Sequence, residues 1–258
     1  MATAYDSDGS GETVVLVHAG IADRRMWEPQ WQTLGERYRV VRLDLAGFGE
    51  TGIDRLPLTY ALDVAELLAE LGIGSAAFVG ASLGGRVVLE LAVARPALVR
   101  ALVVAGAGLP DVHWSQQVRD YGAAEDEAVS RGALDQATEL NLRMWVDGPR
   151  ARDVAPGVRA AVGAMQRRAF ELQAPHWASL HELLLAADVG ARLAEIAVPA
   201  LVLCGGDDVE DMRALARRIS DAIPGARHAE IAAAAHLPSL EQPAAFNALV
   251  LELLASAL

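Results

Sequence analysis

The sequence predicts an α/β fold in which a doubly wound, mostly parallel sheet is packed between helices and a helical cap is inserted into the chain. Short runs rich in Val, Ile, Leu and Ala recur along the chain, and amphipathic helical patterns separate most of them. The connection between the fourth and fifth runs is about 90 residues long, whereas a crossover unit usually closes in about 30. The first two observations favour the sheet, and the third indicates the insertion.

Five apolar runs are the candidate strands. Most of them are continuously apolar rather than alternating, which is typical of parallel strands covered on both faces. The runs are TVVLVHA (13–19), YRVVRLDL (38–45), SAAFVG (75–80), RALVVAG (100–106) and PALVLCG (199–205), with a weaker sixth, HAEIAAAA (228–235). Only about a dozen polar residues precede the first strong run, so we expect antiparallel strands at that edge of the sheet to be abbreviated.

Helical patterns lie between these runs. The stretch LTYALDVAELLAELG has one apolar face, with Thr59 as a candidate N-cap and Gly72 just after its end. The stretch GRVVLELAVARP ends where Pro96 forbids continuation. DMRALARRISDAIPG and PAAFNALVLELLASAL have the same character, and Pro243 suits the first turn of the latter.

The predicted domains are a core of residues 1–109 and 188–258 and a helical cap of residues 110–187, called the cap segment below. The candidate substrate contacts lie in the cap segment and suggest an apolar or aromatic substrate. They are Trp114, Met144, Trp145, Met165 and Trp177. Such residues at helical spacing more often pack a cap onto its core, and both interpretations stay open.

The composition excludes several classes of enzyme. The chain has no Lys, which removes Schiff-base chemistry, a Ser-Lys dyad and the lysine of phosphate-binding motifs. A net charge of −12 disfavours nucleic acid and anionic membranes as partners, since binding to both is driven by clustered basic residues. No apolar run approaches the roughly 20 residues that a membrane-spanning helix needs.

The sequence also bears on where the protein acts. Its start is polar and acidic without a secretion signal, and its single cysteine, Cys204, cannot form an internal disulfide. We therefore expect a cytoplasmic protein. With nucleic acid and membranes disfavoured as partners, the expected partner is a small-molecule substrate. Nothing in the sequence distinguishes a monomer from a homodimer.

Ser82 stands in a G-x-S-x-G motif, GASLG from Gly80 to Gly84, where a strand run ends and a helical pattern begins. A strand that reverses directly into a helix holds the serine at strained dihedral angles, and glycine two residues to either side relieves the crowding. The hydroxyl would then project above the sheet, and the N–H of Leu83 would point toward an oxyanion. Because the motif also occurs by chance, a base and an acid are needed to support it.

His236 is the candidate base, since it follows the sixth run and precedes Pro238 in a loop that can reach the carboxyl edge of the sheet. The candidate acid follows the fifth run, in LCGGDDVEDM. Asp208 is favoured and Asp207 is second, while Asp111 after the fourth run is a weaker alternative. Aspartate before a helix can equally act as an N-cap.

The chain order Ser82, Asp208, His236, together with LVHAG, RLDLAGFGET, GASLGG and HLPSLEQPAAF, resembles the α/β-hydrolase superfamily of the esterase, enol-lactonase and cofactor-free haloperoxidase type. The resemblance covers about residues 13–108 and 190–258. It implies that the loop at Gly20 and Ile21 supplies a second oxyanion N–H.

The resulting hypothesis is a serine hydrolase, most similar to carboxylic ester hydrolases, that cleaves an ester, lactone or related acyl bond through an acyl-enzyme. His236 would take the Ser82 proton, and Asp208 would hold the imidazole in the required tautomer. Two alternatives use the same site: a C–C bond hydrolase or perhydrolase, and a receptor-like protein that binds its ligand with little turnover.

No cofactor and no metal is predicted. GFGETG, residues 47–52, matches the G-x-G-x-x-G nucleotide motif, but Pro57 comes before any helix that could bind a pyrophosphate. HELLL at His181 lacks the second histidine of H-E-x-x-H.

Overall fold

A seven-stranded sheet forms the centre of the computed structural model, which describes residues 3–149 and 154–258. The strands are β1 (Tyr5–Asp8), β2 (Thr13–Val17), β3 (Arg39–Leu43), β4 (Ala76–Ala81), β5 (Val99–Ala105), β6 (Ala200–Gly205) and β7 (Arg227–Ile231). Their spatial order is β1-β3-β2-β4-β5-β6-β7. The pair β1 and β3 is antiparallel, and the other neighbours are parallel. The predicted α/β class and mostly parallel sheet are confirmed.

Every predicted run contains a strand. Strands β2 to β6 each end within two residues of the last residue of the corresponding run. Strand β7 ends at Ile231, four residues before the end of the sixth run. The residues after Ile231 leave the sheet in a turn that leads to His236. One short antiparallel strand, β1, precedes them all, in agreement with the abbreviated edge that the polar start of the chain predicted.

Helices cover both faces of the sheet. The α-helices of the described residues are α1 (Glu28–Gly35), α2 (Tyr60–Glu70), α3 (Leu83–Ala94), α4 (Gln116–Ser130), α5 (Leu134–Asn141), α6 (Pro156–Gln173), α7 (Val189–Arg192), α8 (Glu210–Ala222), α9 (Pro238–Glu241) and α10 (Pro243–Ala257). Short 3₁₀ turns lie at Arg24–Trp27, Pro96–Leu98, Ala174–Ser179 and Leu193–Glu195, and a π-helical segment at Leu142–Asp147.

The sheet separates two apolar layers. Successive side chains of a strand point to opposite faces, so Val15 and Val17 of β2 pack in the layer beneath α2, α3 and α8. Val14 and Leu16 pack in the layer beneath α1 and α10. Because both faces are covered, the central strands are almost continuously apolar, which is the property that predicted them.

Both ends of α2 lie where the sequence predicted them. Thr59 stands at the N-cap, but its side chain makes no hydrogen bond to the helix backbone. Its hydroxyl donates instead to Asp63, 2.8 Å away, and the same carboxylate pairs with Arg55. Thr59 is therefore at the predicted N-cap position, and its hydroxyl bonds to a side chain of the first turn instead of the helix backbone. Gly72 follows the helix with a φ of +68°, as predicted for a terminating glycine.

The cap segment is largely helical where it is described. Its helices α4, α5 and α6 share a small apolar cluster of Ala128, Val129, Ala137 and Phe170. Residues 150–153 of the predicted cap, and residues 1–2 of the predicted core, lie outside the described residues. The domain boundaries at residues 109/110 and 187/188 stay a prediction. Within the described ranges, no helix combines the length and the apolar character needed to cross a bilayer.

Candidate active site

Ser82 lies at the turn between β4 and α3. Its φ of 50° and ψ of −111° are outside the regions that residues with a side chain usually adopt. Its N–H donates to the carbonyl of Ala105 in β5, 2.8 Å away, and its own carbonyl accepts the N–H of Arg86 at 3.0 Å. The strained strand-to-helix turn that the motif predicted is therefore present, and the half-buried serine borders a cavity.

The two glycines of the motif are needed for different reasons. A Cβ added at Gly80 would lie 2.4 Å from the carbonyl oxygen of Gly84, so the two positions crowd each other as predicted. A Cβ added at Gly84 would lie 2.1 Å from the carbonyl oxygen of Val17. The second contact was not predicted. The neighbouring strand β2, rather than the serine, excludes a side chain at Gly84.

The side chains of Ser82, His236 and Asp208 meet at the carboxyl edge of the sheet. His236 Nε2 lies 2.8 Å from Ser82 Oγ, and His236 Nδ1 lies 2.8 Å from Asp208 Oδ2. A carboxylate only accepts, so Nδ1 carries the proton and Nε2 is free to accept from the hydroxyl. The side chains of His236 and Asp208 are 3% and 1% exposed, so the bond between them is shielded from water.

The other aspartates considered as the acid have different partners. Asp111 forms an ion pair with Arg218, whose guanidinium lowers the pKa of the Asp111 carboxyl. The main-chain N–H of Asp207 donates to a carbonyl of the loop that leads to His236, at 2.9 Å. Between the two neighbours Asp207 and Asp208, the latter is the one that hydrogen-bonds to the imidazole.

Glu241 fixes the loop that carries His236. Its carboxylate accepts the N–H of Ala235, with distances of 3.1 and 3.0 Å to its two oxygens, and the N–H of Leu237 at 3.1 Å. These residues flank His236, so the backbone is held on both sides of the imidazole. This role was not predicted from the sequence. A glutamate in the short helix that begins two residues after the histidine is the signal that could have found it.

The N–H groups predicted to form an oxyanion hole come from the start of α3 and the loop after β2. Leu83 is the first residue of α3, so the helix provides no acceptor for its N–H. Gly20 and Ile21 are the central residues of a turn that the N–H of Ala22 closes onto the carbonyl of Ala19 at 3.0 Å. A Cβ added at Gly20 would lie 3.4 Å from Leu83 Cβ, so the turn and the helix start are in contact. Their role as an oxyanion hole stays a prediction.

His18 joins the loops that follow β2 and β3. It is fully buried, its Nε2 accepts the N–H of Leu45 at 2.9 Å, and its Nδ1 lies 2.8 Å from the carbonyl oxygen of Ala19. Because Nε2 accepts, Nδ1 carries the proton and the imidazole is neutral. Burial lowers the pKa of His18. The side chain therefore holds the turn at Gly20 and Ile21 in place as a neutral group.

Asp44 holds the GFGETG stretch. Its buried carboxylate accepts the N–H groups of Arg24 at 2.8 Å and Glu50 at 2.9 Å and pairs with the Arg24 guanidinium. Gly49 has a φ of +54°, and a Cβ there would lie 2.2 Å from Asp44 Oδ2. The stretch thus wraps around a carboxylate instead of opening a helix, and α2 begins only at Tyr60.

A cavity of about 230 Å³ opens above Ser82. Its walls are mainly apolar, and they come from the core and from the cap segment. The lining residues are Ser82, Leu83, Arg86, Gly108, Trp114, Val118, Trp145, Met212 and His236. Two of the five predicted substrate contacts, Trp114 and Trp145, are therefore at the cavity.

The other three predicted contacts do not line this cavity. Met165 is buried in the apolar layer on the α10 side of the sheet, at 2% exposure. Trp177 packs on Phe170, with ring centroids 6.0 Å apart. Met144 borders a separate surface depression. These positions fit the alternative interpretation, in which apolar side chains at helical spacing pack the cap segment together. A role of the three residues as substrate contacts stays a prediction.

Arg86 brings a charge to the apolar cavity. Its guanidinium forms a two-pronged ion pair with Glu182, with 3.1 Å between Nη1 and Oε1. One turn further along α3, the buried carboxylate of Glu90 accepts the N–H groups of Leu185 and Ala186. Both interactions tie α3 to the chain at the end of the cap segment. The sequence feature that could have predicted both interactions is the presence of two charged residues, Arg86 and Glu90, in an otherwise apolar helix.

The described residues hold one group of three potential metal ligands that lie close together, away from Ser82. Cys204 of β6 and His228 and Glu230 of β7 have ligand atoms within 4.8 Å of one another. Burial raises the pKa of the Cys204 thiol to about 12, and Glu230 is paired with Arg213 and Arg217. A protonated thiol and two guanidinium groups disfavour a cation there.

Comparisons with known proteins agree with this architecture. A model of the alpha/beta hydrolase family matches residues 14–249. A Mycobacterium tuberculosis protein provisionally named the non-heme bromoperoxidase BpoC is 31% identical, with 98% of this chain and 97% of that protein covered. The Karrikin insensitive 2 receptor IA of Petunia hybrida is 28% identical, over 91% of this chain and 88% of the receptor.

A solved structure is also similar. The enol-lactonase from Burkholderia xenovorans LB400 superposes with a TM-score of 0.79 at 25% identity, over 98% of this chain and 96% of the enol-lactonase. The predicted fold, a mostly parallel sheet of the α/β-hydrolase type, is confirmed by this likeness and by the family match.

Proposed function

The chain belongs to the alpha/beta hydrolase family, and from this premise we propose that it is a serine hydrolase of the carboxylic ester hydrolase type. The proposed substrate is small and largely apolar and carries an ester, lactone or related acyl bond. The observation that carries the proposal is the unbroken hydrogen-bonded chain from Ser82 through His236 to Asp208, with 2.8 Å at both steps.

The proposed reaction has two steps. His236 Nε2 takes the hydroxyl proton while Ser82 Oγ attacks the carbonyl carbon, and the carboxylate of Asp208 stabilises the imidazolium that forms. The imidazolium then returns the proton to the leaving alkoxide, and an acyl-enzyme remains. In the second step a water gives its proton to His236 and attacks the acyl carbon, after which the acid leaves and Ser82 regains its proton.

The developing negative charge would be stabilised by main-chain N–H groups. We assign this role to Leu83 and to the turn at Gly20 and Ile21, which contacts it. Donors that are already oriented in a half-buried site need no rearrangement at the moment of reaction, and losing one typically costs 10²- to 10³-fold in rate.

The test is covalent labelling with a fluorophosphonate, monitored by the mass of the intact chain. Ser82 Oγ would form a bond to phosphorus, fluoride would leave, and the serine proton would pass through His236 to solvent. We expect one label per chain in the wild type and in Ser179→Ala, a control serine whose hydroxyl bonds to the carbonyl of His176. Ser82→Ala should remain unlabelled and should lose at least about 10³-fold in kcat on a p-nitrophenyl ester. Labelling of the Ser82→Ala protein would contradict the proposal.

The similarity to a plant receptor supports a second candidate, a ligand-binding protein with little turnover. The two functions differ in the fate of the ligand. An enzyme releases product repeatedly from a panel of p-nitrophenyl esters, lactones, thioesters and C–C substrates, whereas a receptor gives at most one equivalent of product or none. Steady release that Ser82→Ala abolishes would favour the hydrolase, and binding without release would favour the receptor.

A further inference from the structure

Trp145 contacts the proposed catalytic histidine twice. The centroids of the two rings are 4.6 Å apart, with an angle of 39° between the planes. The main-chain carbonyl of Trp145 also accepts the N–H of His236, at 3.2 Å. One residue of the cap segment therefore holds both the backbone and the ring of a histidine that follows β7.

The backbone around Trp145 is unusual. Residues Leu142–Asp147 continue α5 as a π-helical segment, which is rare and is found disproportionately at functional sites. The wider turn displaces side chains from the positions that an α-helix would give them. Leu142 and Val146 of this segment are buried in the apolar layer on the α10 side of the sheet, while Trp145 remains half-buried at the cavity wall.

A partly buried polar network contacts Trp145 through Tyr121. The ring of Tyr121 in α4 meets the indole edge-on, with centroids 5.5 Å apart and an angle of 89°. The Tyr121 hydroxyl lies 2.9 Å from Glu125 Oε1 and 2.8 Å from Asn141 Oδ1. Asn141 is the last residue of α5, directly before the π-helical segment, and its amide donates to the same Glu125 oxygen. The network thus ties α4 to the start of that segment.

We propose that Trp145, supported by Tyr121, is a positioning residue that holds the His236 imidazole where its two nitrogens reach Asp208 and Ser82. The positioning follows from the contacts alone. A second effect rests on the proposed function: the electron-rich face of the indole stabilises the imidazolium that forms when His236 takes the serine proton. The cap segment then sets the reactivity of the serine as well as the shape of the cavity.

The first test observes the histidine directly and needs no substrate. In full-length protein with ¹⁵N-labelled histidine, the His236 Nδ1–H resonance, identified by its absence in His236→Asn, reports the hydrogen bond to Asp208. We expect slow exchange of this proton with water in the wild type, in Trp145→Phe and in the control Met144→Leu, and exchange at least about tenfold faster in Trp145→Leu. Met144 is the matched control because it is in the same π-helical segment but does not line the cavity over Ser82.

Two results would overturn the positioning role. One is a wild type in which the His236 Nδ1–H resonance is not observed. The other is a Trp145→Leu protein in which this proton exchanges with water at the wild-type rate. If the leucine variant does not fold by far-UV circular dichroism, Tyr121→Phe decides, since loss of its hydroxyl should speed exchange about threefold. An unchanged rate in that variant would overturn the proposal.

Fluorophosphonate labelling separates this inference from the proposed function. The labelling rate constant should fall about tenfold in Trp145→Leu and stay within about threefold of the wild type in Trp145→Phe, which keeps an aromatic face. A wild type that is never labelled would refute the proposed function and leave the positioning result standing. Equal labelling rates in the leucine variant and the wild type would refute the effect on the imidazolium.

Discussion

Gly84 marks the closest approach between the serine turn and the rest of the sheet. A Cβ at this position would strike the carbonyl oxygen of Val17 at 2.1 Å, and a backbone atom in the middle of the sheet cannot move aside as a flexible side chain can. We expect Gly84→Ala to lower the free energy of unfolding by more than about 2 kcal/mol, measured by urea denaturation.

Gly122 is the matched control for this substitution. It lies inside α4, and an added Cβ would meet no atom within 4 Å. Alanine has the higher helix propensity, so Gly122→Ala should raise the free energy of unfolding by about 0.5–1 kcal/mol. Destabilisation of both variants to a similar extent would contradict the explanation given for Gly84.

His18 makes stability depend on pH through a residue that takes no part in the proposed chemistry. Burial lowers its pKa in the folded protein below the ordinary value of 6.5. Between those two values the unfolded chain binds a proton that the folded protein does not bind. Stability should therefore fall as the pH drops below about 6.5, by at most about 1.4 kcal/mol per pH unit for this group.

The measurement compares urea denaturation at pH 7.5 and pH 5.5 in the wild type, in His18→Gln and in His113→Gln. Glutamine can still accept the N–H of Leu45 but does not titrate, so His18→Gln should lose less stability between the two pH values. His113 is exposed, and its variant should follow the wild type. Equal pH dependence in His18→Gln and the wild type would refute this account.

At the scale of whole elements, the Arg86–Glu182 pair joins α3 to the end of the cap segment. The two side chains are 16% and 17% exposed, so removing one partner leaves a poorly hydrated charge. Arg86→Met and Glu182→Gln should each cost about 1–3 kcal/mol of stability, and the double variant should cost less than the sum. A double-mutant cycle by urea denaturation measures this coupling.

An exposed ion pair provides the control for that cycle. Arg227 and Glu252 are 49% and 60% exposed, and the pair also joins residues far apart in the chain. Arg227→Met should change stability by less than about 1 kcal/mol, because solvent screens the pair. A second double-mutant cycle, with Arg227→Met, Glu252→Gln and the double variant, measures the coupling energy of this pair. If the two cycles give equal coupling energies, partial burial is not what makes the Arg86 pair important.

How much the sequence predicts also differs between elements. The central strands could be predicted because burial on both faces imposes an apolar run that needs no knowledge of its neighbours. The turn at Ser82 could be predicted because its strain is local and requires glycine nearby. The sequence favoured Asp208 over Asp207 as the acid, but the hydrogen bond to His236 depends on how the loops after β6 and β7 meet, which only the structure shows.

Several features that the sequence did not predict depend on contacts between distant residues. Trp145 and His236 are 91 positions apart, and no periodicity marks a π-helical turn or the carbonyl that it offers to His236. Met144, Met165 and Trp177 have the same apolar character as Trp114 and Trp145, yet only the last two line the cavity over Ser82. The packing of the helices decides which apolar residues face a cavity. This packing cannot be predicted from the composition of the cap segment.

At the scale of the whole molecule, the cap segment is joined to the core by many polar contacts. Ser115 donates its N–H to Asp211 in α8 at 2.7 Å, and the amide of Gln173 donates to the carbonyl of Gly47 at 3.0 Å. The carbonyl of Trp145 accepts from His236. These contacts reach α8 and the loops after β3 and β7, so the cap segment cannot separate from the core without exposing buried polar groups.

We therefore expect the cap segment and the core to unfold together. Trp27 and Trp31 lie in the core, whereas Trp114, Trp145 and Trp177 lie in the cap segment, so near-ultraviolet circular dichroism and fluorescence report on both parts. In a two-state transition these signals and far-ultraviolet circular dichroism share one midpoint in urea. Replacing Trp145 by leucine removes the aromatic contact with His236 but leaves Gln173 and Asp211 in place, so the transition should stay single while its midpoint falls. An earlier transition seen by tryptophan signals alone, in the wild type, would mean that the cap segment is an independent unit resting on the core.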